Sequence, residues 1–115
     1  MAASFDPTRY LKKIEVGRKG SGAMADYLEV KHRLLWVRSE HPDAHMETRL
    51  EQLGVDLVVM SAKVTLSNGA EASGHGSCRT SEPDAVEKAE TAALGRALAS
   101  LGYGTQFAMY EEVTF

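Results

Sequence analysis

Residues 70–79 alternate very small side chains with polar ones, and this pattern limits what can pack against them. The small residues recur at every second position, as they do when one face of a β-strand meets a partner at short range. They are Ala70, Ala72, Gly74, Gly76 and Cys78. A helix predicted over 82–101 carries a stripe rich in alanine, so we expect its backbone to lie close to this strand.

Three further elements precede this strand–helix pair. A helix is predicted over 27–39, with Asp26 as its N-cap and Pro42 preventing its continuation. Two strands are predicted over 46–52 and 57–66 from their alternating apolar positions. Asn68-Gly69 lies between the second and third strands and is typical of a tight β-hairpin, whose turn needs positive φ angles. The long helix is predicted to start with a capping box formed by Ser81 and Asp84.

The predicted fold class is α+β, with the order helix, three-stranded antiparallel sheet, long helix, and a β-β-β-α core. Both helices should cover one sheet face, because the other face is polar. Residues 1–26 are expected to be a basic, glycine-containing, partly flexible segment with a short helical turn near 8–14, and residues 27–104 to be the core. Residues 105–115 are expected to form a tail, an edge strand, or a contact with a neighbouring subunit through Phe107, Tyr110, Val113 and Phe115.

Composition excludes several classes of protein. Apolar residues make up 43% and charged residues 25%, which is the balance of a soluble globular domain. No apolar run approaches the roughly 18–20 residues of a membrane-spanning helix, and no signal peptide is recognised at the start. The single cysteine, Cys78, excludes an internal disulfide framework. We therefore expect a soluble protein of the cytoplasm.

Charge is unevenly distributed along the chain, although the net charge is only −3. Residues 1–38 carry eight basic and four acidic residues, a balance of +4, and residues 39–115 carry five basic and twelve acidic residues, a balance of −7. A basic end on an acidic body predicts one anionic partner at one surface, or head-to-tail self-association. Simple charge scatter with a solubilising end is the alternative.

Metal and catalytic chemistry find little support in the sequence. Pro42 separates His41 from His45, and no second close pair supplies further metal ligands. His75 and Cys78 face opposite sides of one strand, which excludes a Cys–His pair. We therefore expect no metal, no cofactor, no catalytic residues and no enzyme activity. Gly95 costs about 1 kcal/mol inside a helix, which predicts a close approach by a backbone or a ligand.

Binding to nucleic acid needs cations for phosphates and flat side chains on which bases stack. Lys31 and Arg38 interrupt the apolar arc of the first helix, which departs from a core pattern. The candidate cations of the core are Lys31, Arg33, Arg38, Lys63, Arg79 and Arg96, those of the N-terminal segment are Lys12, Lys13, Arg18 and Lys19, and the stacking candidates are Trp36 and Tyr103. The residues alone indicate a small α+β binding domain.

Residues 87–104 read EKAETAALGRALASLGYG. This string resembles the signature helix of single-strand annealing proteins of the Rad-fifty-two type. Residues 27–33, the Asn68-Gly69 hairpin and the strand around 74–76 are similar to the opening helix, the β-hairpin and the Gly-aromatic-Gly strand of that superfamily. Residues 27–104 also resemble small bacterial and phage proteins. The resemblance covers about two-thirds of the chain.

The resemblance implies a function in homologous recombination and DNA repair. Identical subunits would form a ring or filament that holds single-stranded DNA for annealing, in a bacterial host cell or its nucleoid, with a possible recombination partner protein. Arg96 matches the basic residue of the signature helix, and Arg33, with Lys31, matches the basic end of the opening motif.

Two other functions stay open. A double-stranded-RNA binder has the same α-β-β-β-α order, but such a domain uses a basic cluster at the start of its second helix, where this chain has Glu82-Pro83-Asp84. A self-assembling structural or inhibitory protein-interaction module, of the phage type, is the other alternative, and the acidic body favours it.

Overall fold

The computed structural model describes residues 5–104. Its elements follow the predicted order, and a small hairpin before the first helix is the addition. A 3-10 turn, Pro7–Tyr10, precedes a small hairpin of β1 and β2, and helix α1 follows. Strands β3, β4 and β5 come next, and the long helix α2 ends the described chain. The bounds are β1 Lys12–Glu15, β2 Met24–Tyr27, α1 Val30–Glu40, β3 His45–Leu53, β4 Leu57–Thr65, β5 Glu71–Arg79 and α2 Ala85–Ser100.

Strands β3, β4 and β5 form one antiparallel sheet with β4 in the centre. Its register pairs Met60 with both Leu50 and Gly76. Asn68-Gly69 connects β4 to β5 as predicted, but of these two residues Gly69 alone has a positive φ, at +88°. The loop closed by the Leu66–Ala70 hydrogen bond has three residues, and such a loop needs a positive φ only at its last position. A bulge at Glu51 shifts the pairing between β3 and β4. Helix α2 covers the face that carries the buried residues of β4, and the α+β prediction is confirmed.

The strand of small residues allows α2 to lie directly on β5, as predicted. A Cβ atom added at Gly74 would lie 2.6 Å from the Ala93 carbonyl oxygen and 2.7 Å from the Ala97 nitrogen. Gly76 meets the backbone of the preceding helical turn in the same way. The two glycines are therefore needed because helix backbone fills the space of their side chains.

The starts of both helices differ from their predicted positions. Asp26 belongs to β2, and Glu29 is the N-cap residue of α1, without a side-chain cap. The predicted capping box at the start of α2 is wrong, since Asp84 adopts a left-handed conformation at φ 56° and its side chain makes no cap hydrogen bond. The chain turns too sharply between β5 and α2 for the Ser81–Asp84 arrangement to form.

Residues 12–27 form a β-hairpin where an irregular segment was predicted. Lys12 pairs with Tyr27 and Glu15 with Met24. Positive φ angles at Gly17, Gly20 and Gly22 allow the connection between the two strands to turn. The glycines thus belong to the turn of a regular element.

The core lies between the sheet and the helices. Helix α1 contributes Val30 and Val37, and α2 contributes Ala93, Ala97 and Leu98. None of the helices within residues 5–104 is long and apolar enough to span a membrane. The predictions for the tail at 105–115 lie outside the described residues.

Candidate nucleic-acid interface

Arg33, predicted to contact nucleic acid, is instead buried between the two helices. It is 1% exposed. Its Nε donates a hydrogen bond to the Leu28 carbonyl at 2.7 Å, and its Nη1 donates one to the Gly95 carbonyl at 3.5 Å. Its guanidinium carbon lies 5.5 Å from the centroid of the Tyr27 ring, a distance typical of a cation–π contact. Arg33 therefore joins α1 to the preceding segment and to α2, and it is not accessible to a phosphate.

Two glycines make room for this arginine and for its helix. A Cβ atom at Gly95 would lie 3.1 Å from Val30 Cγ2, and one at Gly104 would lie 2.7 Å from Arg33 Nη1. The close approach predicted at Gly95 is thus made by side chains of α1. The glycine in α2 is explained by helix–helix packing and needs no ligand.

Arg96 also serves the fold. Its Nη1 donates a hydrogen bond to the His75 carbonyl at 2.7 Å, and its side chain is half-buried over β5. Arg96 Cβ lies against Gly74. The arginine that matched the annealing signature therefore fixes α2 to the neighbouring strand.

The two stacking candidates, Trp36 and Tyr103, pack against each other. Their ring centroids are 5.0 Å apart, with an edge-to-face angle of 86°. Glu40 accepts a hydrogen bond from Trp36 Nε1 at 3.0 Å and another from the Tyr103 hydroxyl at 2.7 Å. Burial, followed by the hydrogen bond to Glu40 and its negative charge, raises the pKa of Tyr103 to about 12. Tyr103 is buried and cannot stack on a base, and Trp36 is partly buried and held by Tyr103 and Glu40 at the end of the core.

The lysines at the base of the hairpin have acidic neighbours. Lys13 Nζ lies 2.6 Å from Asp26, and Lys12 Nζ lies 3.8 Å from Glu29. All four side chains are at least one-third exposed, so solvent screens these pairs and they contribute little stability. The two lysines stay available to a partner at a small cost.

Arg18 and Lys19 lie at the exposed tip of the hairpin. The tip is fixed by a hydrogen bond that the Gly22 nitrogen donates to Glu15 at 3.0 Å. No ion pair within residues 5–104 involves Arg18 or Lys19. The hairpin therefore holds two positive charges away from the acidic body.

Lys31 lines a groove between the start of α1 and the outer side of α2. The groove has a volume of about 440 Å³ and includes Lys12, Leu34 and Thr91. Thr91 also borders a hollow at the start of α2 that includes Lys88. Lys31 and Lys12 therefore line one groove between the helices, which is not beside the sheet.

The remaining predicted cations lie elsewhere. Arg38 is exposed, and its Nη1 donates a hydrogen bond to the Ala44 carbonyl at 3.0 Å. Lys63 and Arg79 lie on the open sheet face, and Lys63 pairs with Glu71 at 3.5 Å. Arg79 pairs with Leu57, which lies six positions from Lys63 on β4. Six residues of a strand span about 20 Å. The ten cations therefore do not form one site.

The start of α2 is acidic. Glu82 and Glu87 are exposed there together with Asp84, and Lys88 lies 3.8 Å from Glu82. A negative charge in the first turn complements the helix dipole. The positive charge of Lys88 is therefore largely balanced by acidic side chains at this end of α2.

Comparison with protein families gives a match over residues 34–101. The match begins within α1, spans the sheet and extends one residue beyond α2. It covers more than half of the 115 residues. This chain belongs to the Slr1353 N-terminal dsRNA-binding domain-like family. Comparison with curated proteins finds no match.

Membership in the Slr1353 N-terminal dsRNA-binding domain-like family overturns the resemblance to annealing proteins. The expected functions in single-strand annealing, recombination and repair are wrong, and so is the ring or filament on single-stranded DNA. The string in α2 misled because its glycine, arginine and small residues serve packing against α1 and β5. The double-stranded-RNA alternative agrees better with this family, although Glu82-Pro83-Asp84 is acidic.

Two features of this family member were missed from the sequence. The hairpin at 12–27 lies before the matched range, and its four-residue strands, KKIE and MADY, carry no alternating pattern that could have predicted it. Glu40 gave no signal, because its two partners are Trp36 and the distant Tyr103. Within the described part of the chain, no three His, Cys, Asp or Glu side chains lie close enough together to hold a metal ion.

Proposed function

We propose that this chain is a nucleic-acid-binding module that recognises double-stranded RNA by its shape. The observation that carries the proposal is the family match over the α-β-β-β-α unit at 34–101. Domains of this kind contact successive minor grooves and the phosphates between them, largely without reading sequence. The proposed role is binding without catalysis, and it requires a compartment that contains RNA, such as the cytoplasm.

We place the contact on a hairpin–helix surface, defined by Arg18 and Lys19 at the tip, Lys12 and Lys31 in the groove, and Lys88 on α2. Thr91 borders both the groove and the hollow beside Lys88, which makes the helical part of this surface continuous. The pairs Lys12–Glu29 and Lys88–Glu82 are each 3.8 Å apart, and solvent screens such exposed pairs. The largest uncompensated charge is therefore that of the hairpin tip.

The electrostatics predict weak binding that depends strongly on salt. Each phosphate neutralised by a cation releases a counterion, and two or three such contacts give a slope of about −2 to −3 in log K against log salt. The acidic body, with its balance of −7 over residues 39–115, repels a duplex everywhere else. This repulsion confines a duplex to the basic surface.

The test compares three ligands of one sequence by fluorescence anisotropy at low salt: an RNA duplex of about 20 base pairs, the DNA duplex and the single-stranded RNA. We expect the RNA duplex to bind at least about tenfold more tightly than the other two. Equal affinity for all three, or no binding to the RNA duplex, would contradict the proposal.

The surface is tested by a double variant, R18A/K19A. Losing two phosphate contacts should weaken RNA binding about tenfold or more and make the salt slope less steep by about 2. The matched control, K63A/R79A, removes two charges from the open sheet face and should bind RNA like the native chain. If the control loses as much affinity as R18A/K19A, the contact surface lies elsewhere.

Protein recognition is the second candidate function, and one observation favours it. Leu53 and Val55, at the turn between β3 and β4, are 65% and 92% exposed. Asp56 and Asp84 are also exposed near this end of the molecule. An apolar tip with an acidic border suits a basic protein partner better than a phosphate backbone.

A further inference from the structure

We propose that the outer edge of β3 pairs with β3 of a second copy, antiparallel and around a two-fold axis at Thr48. The two three-stranded sheets would join into one sheet of six strands. The proposal concerns self-association in the absence of nucleic acid, and it is independent of the RNA-binding proposal.

The edge of β3 is open in the described part of the chain. The order of strands in the sheet is β3-β4-β5, so β3 has a partner on only one side among residues 5–104. The free edge of this nine-residue strand presents a row of backbone donors and acceptors to any other strand. Natural proteins usually protect such an edge, and pairing with a second copy protects it completely.

Charges along β3 are self-complementary in the antiparallel register centred on Thr48. On the open sheet face the order is His45, Glu47, Arg49, Glu51. With Thr48 opposite Thr48 of the second copy, Glu47 lies opposite Arg49 of the other strand, and the same pair forms again across the axis. Glu51 lies in the bulge of β3, so the regular part of this pairing extends from Met46 to Leu50. Opposite charges at directly facing positions stabilise an antiparallel pair.

Neighbouring registers of the same faces are unfavourable. An axis at Arg49 places the two arginines opposite each other. An axis at Glu47 places the two Glu47 side chains opposite each other and Arg49 opposite His45. Like charges at facing positions destabilise a strand pair, so β3 discriminates against both slips.

Arg49 supports this arrangement by its situation in one copy. No ion pair within residues 5–104 involves Arg49, and it is exposed. Glu47 lies 3.8 Å from His45 on its own strand, a pair that is charged only when the histidine is protonated. Across its own sheet Glu47 already faces Lys63, whereas Arg49 faces Ser61, so Arg49 is the side chain that gains a facing opposite charge from the second copy.

The helix-covered face of β3 is also suited to a second copy. In the same register Met46 lies opposite Leu50, and Leu50 is 52% exposed in one copy. Thr48 Oγ1 donates a hydrogen bond to Glu90 of α2 at 2.7 Å, which fixes the centre of the strand. Pairing therefore buries an apolar side chain in addition to joining charges.

The test is the mass of the full chain by sedimentation at low salt, without nucleic acid. We expect a dimer for the native chain and at least about tenfold weaker association for the single variants E47R and R49E, since each creates like charges at facing positions. The double variant E47R/R49E exchanges the charges and should recover the dimer. The control R79E reverses a charge on the far strand and should remain dimeric.

Mixing E47R with R49E gives the sharpest result. A heterodimer of the two variants has opposite charges at every one of these positions, so the mixture should dimerise although neither variant does so alone. A native chain that stays monomeric at high concentration would overturn the proposal. A dimer that R49E leaves intact, or that E47R/R49E does not restore, would also overturn it.

Discussion

Arg33 shows how a single side chain can hold two helices together. A guanidinium is always charged, so its burial is favourable only when hydrogen-bond acceptors and an aromatic face replace the lost water. The carbonyls of Leu28 and Gly95 and the ring of Tyr27 supply these contacts. The role of this arginine is therefore stability of the fold and not contact with a ligand.

Replacing Arg33 with methionine tests this role. The substitution keeps an unbranched stem but removes the guanidinium and its hydrogen bonds to two carbonyls, so we expect the free energy of unfolding to fall by about 2–4 kcal/mol. Urea unfolding followed by circular dichroism measures it. The control R38M removes an exposed guanidinium with one hydrogen bond and should cost about 1 kcal/mol or less. Equal losses for the two variants would contradict a structural role for Arg33.

Tyr103 should give the fold a dependence on alkaline pH. Burial and Glu40 raise its pKa from an ordinary value of 10.0 to about 12 in the folded chain. The unfolded chain therefore loses this proton first, and the contribution of Tyr103 is complete below pH 10 and lost as the pH rises towards 12. The difference in tyrosinate absorbance between the native chain and Y103F during alkaline titration isolates this group. In E40Q the titration should move to lower pH, and no movement would show that Glu40 has no part in the shift.

The contact between α2 and β5 is the element pair most sensitive to added volume. Gly74→Ala would place a methyl group 2.6 Å from the Ala93 carbonyl oxygen, and only a shift of the helix relieves this. We expect a loss of about 2–3 kcal/mol in the free energy of unfolding. Ser73→Ala, which changes the neighbouring residue on the open face, should change the free energy of unfolding by about 0.5 kcal/mol or less. A tolerated G74A would mean that the helix is not held at this distance.

Sequence reasoning succeeded for elements with long, regular signals. Strand β5 and helix α2 were predictable because small residues recur at every second position in the strand and at helical spacing in the helix. The Asn68-Gly69 turn was predictable because it depends on local backbone geometry. The hairpin of β1 and β2 was missed because each strand has only four residues and glycines separate them. The structural roles of Arg33 and Trp36 were not predicted because their partners, Gly95 and Tyr103, are distant in the sequence.

At the scale of the whole molecule, the position of charge should matter more than its amount. Glu87 lies at the start of α2, next to the hairpin–helix surface, and Glu71 lies on the open sheet face. E87K and E71K change the net charge equally. We expect E87K to tighten binding of an RNA duplex about fivefold and E71K to change it by about twofold or less. Equal gains, measured by anisotropy at one salt concentration, would mean that this surface does not meet the duplex.

Glu40 accepts hydrogen bonds from both Trp36 and Tyr103, and this contact has a practical consequence. The chain has one tryptophan, and its indole sits edge-on to Tyr103 with its nitrogen held by the same carboxylate. Its fluorescence is therefore a local optical probe of whether the first helix is seated at the end of the second. Partial detachment of that helix should redden the emission while the far-ultraviolet signal of the strands stays constant.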